Sequence, residues 1–241
     1  MNTPSTAIAT QLGISKIVLN IAHTSMEFPY ATKWQGDIEP EIRHWTDNYT
    51  DALFHPNFRF AHQVVPVRYP YSRFFCDVER LEADPLERIG QGIVYSQFQG
   101  CTRTATYEER MLALQSYYAH QCRLLQQVAS PHTLLLDCHS FPAELSSDID
   151  ICLGYNNDWS KPSDELLELV RDFFEEQGAT VGINVPYSNA ISPRKQFNYP
   201  CLMIEANKRF YLGPDGIPDG RLDEKNRSIN ELYARLLTPG N

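Results

Sequence analysis

Apolar residues follow two rhythms along this chain. Short, nearly unbroken runs recur at KIVLNIA (16–22), QVVPVR (63–68), TLLLDCH (133–139), DIDICLG (148–154), TVGIN (180–184) and CLMIEAN (201–207). Runs of this length, rich in leucine and β-branched residues, predict strands. Their continuous apolarity predicts a sheet covered on both faces. Pro66 places 63–68 at an edge, because proline cannot donate to a strand ladder. Elsewhere the apolar positions return every three or four residues. Met111, Leu114, Tyr118, Cys122 and Leu125 predict a helix over 106–129. Leu166, Val170, Phe173 and Phe174 predict a second, with Ser163 as its N-cap. Ile229, Leu232, Tyr233 and Leu236 predict one near the C-terminus, and Ile42, Trp45, Tyr49 and Leu53 one over 39–54. Helices between strands predict an α/β layered fold. Two stretches, 69–104 and 185–200, carry neither rhythm, and loops that long are commonly functional or disordered.

Composition narrows the class. The 241 residues fit one domain spanning 1–241, long enough to bury a core without staples. A net charge of −9 argues against nucleic acid or an anionic membrane as a partner, yet leaves room for a small anion in a locally basic site. The six cysteines form no CxxC pair and several lie inside apolar runs, which predicts free, buried thiols. The opening MNTPSTAIATQLG has neither a basic nor an apolar signal region, and no apolar run reaches membrane-span length. The expectation is a cytoplasmic protein, with nothing in the chain that sets its oligomeric state.

The chemistry begins where strands end. Ligands of open α/β sheets bind at the carboxyl ends of strands. TLLLDCH ends in Asp137 and His139, whose i, i+2 spacing puts both on one face of an extended chain. The expectation places His139 where the chain leaves the sheet; the plain alternative is a core histidine satisfied by Asp137. KIVLNIA runs into His23, and CLMIEAN carries Glu205 behind four apolar residues, where a carboxylate is costly unless paired or functional. Two histidines, a carboxylate ligand and a free glutamate make up a hydrolytic zinc site. The carboxylate ligand is open between Glu27, four residues after His23, and Asp47, which with Asp51 would share one face of the 39–54 helix. Arg73 and Arg80 in SRFFCDVER, and Arg194 in SPRKQ, are candidates to clamp a substrate carboxylate. Their plain alternative is surface charge.

In this order, NIAHTSMEFP, DNYTD, SRFFCDVER, LLLDCHS and CLMIEANKRFY resemble the N-formylglutamate amidohydrolases, a family related in fold to zinc carboxypeptidases and aspartoacylases. The resemblance spans roughly 17–212. It implies an α/β class, three-layer α/β/α fold with a mixed central sheet, of the zinc-carboxypeptidase (phosphorylase/hydrolase-like) kind. It implies Zn²⁺ held by His23, Asp47 and His139, which moves the preference from Glu27 to Asp47. Glu205 would match the catalytic glutamate, and Arg73 and Arg80 the arginines of the family's R-x-x-x-D-x-N-R segment. Asp137 would then orient His139 from behind. The chain departs from the family's pattern at Ser25, where glycine is common, and at Glu79, where asparagine is common. The implied activity is zinc-dependent hydrolysis of a small anionic N-acyl amino acid, with N-formyl-L-glutamate as the first expectation. A zinc carboxypeptidase-type peptidase and a non-catalytic metal-binding domain of the same fold are the alternatives.

Overall fold

The computed structural model describes residues 12–81, 84–146 and 148–237. Its centre is a six-stranded sheet built from β1 (Lys16–Ile21), β3 (Val64–Arg68), β6 (Thr133–Phe141), β7 (Ile151–Gly154), β8 (Val181–Ile183) and β9 (Cys201–Asn207). The spatial order is β3-β1-β6-β9-β7-β8. β1 pairs in parallel with β3 and β6, and β6 with β9, whereas β7 runs antiparallel to β9 and parallel to β8. The sheet is therefore mixed, and the strand containing Pro66 lies at its edge, as the proline requires. A smaller antiparallel sheet joins β2 (Trp34–Gln35), β5 (Cys101–Arg103) and β4 (Gln97–Phe98).

Side chains alternate across the main sheet, and each face meets a different cover. Ile17, Leu19, Leu134, Leu136, Cys138, Leu202 and Ile204 point to one face. The helices in chain order are Glu39–Trp45 (α1), Thr50–Leu53 (α2), Tyr107–Leu112 (α3), Ala119–Val128 (α4), Asp164–Glu176 (α5), Lys208–Tyr211 (α6) and Gly220–Leu236 (α7), and on that face α5 and α7 supply most of the cover, with Leu53 of α2 and Tyr211 of α6 beside them. Ser163 caps α5 by accepting from Leu166 N, as its sequence position predicts, and Leu166, Val170, Phe173 and Phe174 are buried beneath it. Each such side chain contributes roughly 1.5–3 kcal/mol on burial. Val18, Leu135, Cys201 and Met203 face the other way, onto Leu125 of α4 and onto Tyr199 and Ala190 of the 187–199 segment. The result is a three-layer α/β/α fold. Among the described residues no helix is long and apolar enough to cross a membrane, and all six cysteines are free.

Two expectations change. The predicted 39–54 helix is two helices, because Thr46 turns extended and Tyr49 adopts a left-handed conformation with φ 64°. Thr46 Oγ1 donates to Ile42 O and caps the first helix, while Asp47 N leaves the helical ladder and donates to His23 O. Asp47 thus sits in a break beside the exit of β1, and does not share a helix face with Asp51. The predicted 106–129 helix is real and opens on a Thr106–Glu109 capping box, but Ala113–Tyr118 is wound as a π-helix between α3 and α4. A π-segment inside a helix commonly marks a functional site. Here it brings Tyr118 to the cleft described next.

Candidate active site

The cleft opens at the carboxyl ends of β1, β6 and β9, encloses about 820 Å³, and is lined by His23, Asp47, Arg73, His139 and Glu205 among others. His23 follows β1 by two residues. His139 lies within β6, which continues to Phe141, so it does not mark the end of the sheet as its sequence position suggests. The strand can hold it there because the face it shares with Leu135 and Asp137 is not the face that meets α5 and α7.

Three donors converge. Asp47 Oδ2 is 2.9 Å from His139 Nδ1 and 3.9 Å from His23 Nδ1. One atom of each of these residues lies within 4.8 Å of the others, and all three residues are buried. Two imidazole nitrogens and a carboxylate oxygen at this spacing form a donor set suited to zinc. Glu27 is exposed and does not belong to this group.

The far side of each imidazole is held by carboxylates. Asp77 Oδ1 accepts from His23 Nε2 at 2.9 Å. Asp137 Oδ1 lies 3.1 Å and Glu79 Oε2 2.9 Å from His139 Nε2. A proton on Nε2 leaves Nδ1 of each ring facing Asp47, the arrangement that orients metal-binding histidines. Asn20, fully buried in β1 and in register with Asp137, donates to Asp137 Oδ1 at 2.8 Å and to Glu79 Oε1 at 2.5 Å. Its own Oδ1 accepts from Gln121 of α4. Ile191 N donates to Asp137 Oδ2.

Burial and neighbouring charge set the protonation of this group. Burial would raise Asp137 and Asp77, but the His139 charge and hydrogen bond hold Asp137 low, and His23 and Arg73 hold Asp77 well below the carboxylate range. Burial lowers His23, with Arg73 adding to the effect. His139 moves the other way: burial lowers it, but Glu79 and Asp137 outweigh that and raise it well above its usual value. Glu79 is pushed up to about 8 by burial and by the charge of Asp137. Glu205 is likewise pushed up to about 8, chiefly by burial. Its Oε2 is shielded from solvent and has no hydrogen-bond partner among the described residues. An orphaned buried carboxylate oxygen, one strand across from His139, is available to a ligand.

The arginines divide. Arg73 and Arg80 both line the cleft and both reach Asp77 Oδ2, at 3.1 and 3.4 Å. Arg194 is exposed and is not among the described lining residues; its guanidinium lies over the Trp159 ring, 5.6 Å from the centroid. The structure brings Arg73 and Arg80 together at Asp77 and places Arg194 beside Trp159. Sequence reasoning undervalued Asn20 and Glu79. The signals were a lone amide inside the apolar run KIVLNIA, and an acid placed two residues after Asp77 between two arginines.

The sequence profile of the N-formylglutamate amidohydrolase family matches residues 15–212. A search of curated proteins finds no match. Among solved structures, the N-formylglutamate amidohydrolase from Ralstonia eutropha JMP134 is similar at 19% identity, with 92% of each chain covered and a TM-score of 0.73. A gene product of Agrobacterium tumefaciens is similar at 14% identity, with 91% of each chain covered and a TM-score of 0.61.

Proposed function

Because the chain belongs to the N-formylglutamate amidohydrolase family, an enzyme family acting on linear amides, we propose that it is a zinc-dependent amidohydrolase of small N-acyl amino acids, with N-formyl-L-glutamate as its reference substrate. One observation carries this reading: His23 Nδ1, Asp47 Oδ2 and His139 Nδ1 converge while the Glu205 carboxylate beside them keeps an unpartnered oxygen. His23, Asp47 and His139 would hold a zinc ion, which would supply Lewis acidity to acidify water and polarise an amide carbonyl. Glu205 takes a proton from the attacking water and delivers it to the departing amide nitrogen. Its solvent-shielded Oε2, which has no hydrogen-bond partner among the described residues, leaves a carboxylate oxygen free to accept that proton. Asp77 and Asp137 fix the ring orientation of His23 and His139 from behind. Arg73 and Arg80 face the cleft as donors for the substrate carboxylate.

The test begins with metal content. Protein purified without chelator or histidine tag, analysed as wild type and as His139→Ala, should hold about one zinc per chain and lose it in the variant. Formate release from N-formyl amino acids by the loaded wild type should follow, and short peptides should be poorer substrates. No metal in either protein, even with zinc offered, would sink the mechanism.

A further inference from the structure

Asp47 stands in a break that belongs to neither a helix nor a strand, and Tyr49 closes that break in the left-handed region. A residue other than glycine stays left-handed only where its surroundings fix it. Several bonds of the break are local. Thr46 Oγ1 donates to Ile42 O, Asn48 Nδ2 to Arg43 O, and Thr50 N to Asp47 O. Such bonds move with the segment and do not place it against the sheet. The bond from Asp47 N to His23 O ties it to the exit of β1. Two more carbonyls of this stretch, His44 O and Asn48 O, are taken by side chains from a distant part of the chain.

Both of those donors belong to α6. Lys208 Nζ donates to His44 O and Tyr211 Oη donates to Asn48 O, each at 2.6 Å. The first contact sets an ammonium against the last turn of α1, where the carbonyl end of the helix dipole favours a cation. The same charge interacts with the carboxylates of Asp47 and Glu205. The second contact comes from a fully buried ring. It grips the peptide that joins Asn48 to Tyr49, a planar unit whose tilt sets the torsions on either side. The helix that carries both donors starts directly from β9. Asn207 ends the strand, caps α6 by accepting from Arg209 N, and donates to Ser146 O and Ile149 O. Glu205 lies three residues before Lys208.

We infer that Lys208 and Tyr211 are positioning residues for the Asp47 carboxylate: they hold the backbone on both sides of Asp47 and fix it to the strand that carries Glu205. This rests on the zinc-site reading and extends it beyond the ligands. One stretch, Glu205 to Tyr211, then carries the candidate base and also holds the carboxylate ligand in place.

The experiment uses the full chain and reads zinc affinity by chelator competition, together with the visible spectrum of the cobalt-substituted protein, which reports ligand geometry. Tyr211→Phe removes one hydroxyl, and Lys208→Met removes the ammonium but keeps the stem. Each should weaken zinc binding by about tenfold, the low end of what losing a partner behind a metal ligand costs, and should shift the cobalt bands. Lys208→Arg keeps a charged donor and should recover most of the affinity. Arg209→Gln alters the same turn, but Arg209 reaches Asp150 and not the Asp47 break, so it should match the wild type. Wild-type affinity and spectrum in both Tyr211→Phe and Lys208→Met would overturn the inference and leave the zinc reading standing. An equal loss in Arg209→Gln would also overturn it, by tracing the effect to the stability of the turn. If the wild type binds neither metal, the zinc reading fails, and amide hydrogen exchange over residues 46–50 decides. Faster exchange in Tyr211→Phe would support the hold on Asp47; unchanged exchange would overturn it.

Discussion

His139 and Glu205 are register partners on adjacent parallel strands, β6 and β9, and both stand on the sheet face turned away from α5 and α7. The pairing holds a ligand candidate and a base candidate at a spacing set by the backbone ladder, not by loops. If Glu205 moves the proton, Glu205→Gln keeps the shape of the side chain and removes the function. Turnover should fall by roughly 10²–10⁴, while zinc content stays at the wild-type level. Full turnover in a zinc-loaded variant would remove Glu205 from this role.

Zinc affinity should depend on pH with a definite sign. In the metal-free protein His139 Nδ1 bonds to Asp47, and the raised pKa keeps the ring protonated at neutral pH. Zinc must displace that proton, so protons and metal compete. Below the His139 pKa, apparent affinity should rise about tenfold for each pH unit. His23 is lowered and already neutral there, so it adds no second proton to the slope. Competition titration against a chromogenic chelator from pH 6 to 8 reads the slope directly; a flat profile would contradict the protonated state.

Asp77 is the keystone of the basic wall. It is fully buried and touches His23, Arg73, Arg80 and Tyr95. Removing its charge leaves two half-buried guanidinium groups without their shared counter-ion, which costs up to about 3–5 kcal/mol. Asp77→Asn should show that loss in urea unfolding. Arg194→Ala, by contrast, changes an exposed residue and should stay within about 0.5 kcal/mol, with kcat/KM nearly unchanged.

The two sheet faces should separate in mutagenesis. Leu232 of α7 is fully buried in the cluster opposite the cleft. Leu232→Ala should cost about 2–5 kcal/mol and leave kcat intact at temperatures where the protein stays folded. A kcat loss matching that at Glu205 would show that the helical layer sets the geometry of the site.

Much of this arrangement is legible in the chain, and the reasons for the rest are physical. Long apolar runs announce β1, β6 and β9 because a strand covered on both faces needs side chains that tolerate burial on both. The small β2-β5-β4 sheet leaves no such mark: its strands are two or three residues long, too short for any periodicity. The break at Thr46–Tyr49 is hidden because the apolar spacing from Ile42 to Leu53 continues across it, while the bond that ends α1 goes to a residue near the start of the chain, His23. Glu79 and Arg194 show the same limit from opposite sides. Local sequence presents Glu79 as a misplaced charge and Arg194 as a clamp, yet partners distant in sequence, His139 and Asn20 for one and Trp159 for the other, decide what each one meets.

The strict alternation along β6 has a consequence for folding fidelity. Leu134, Leu136 and Cys138 feed one core, while Leu135, Asp137, His139 and Phe141 feed the other side. Sliding this strand by one residue would thrust an acid and an imidazole among the phenylalanines of α5 and drop a leucine and a thiol into the cleft. Burying those unpaired polar groups would cost several kcal/mol. The reactive residues therefore serve as a proofreading device for their own strand: a chain that pairs incorrectly is penalised by the same side chains it would have used for chemistry.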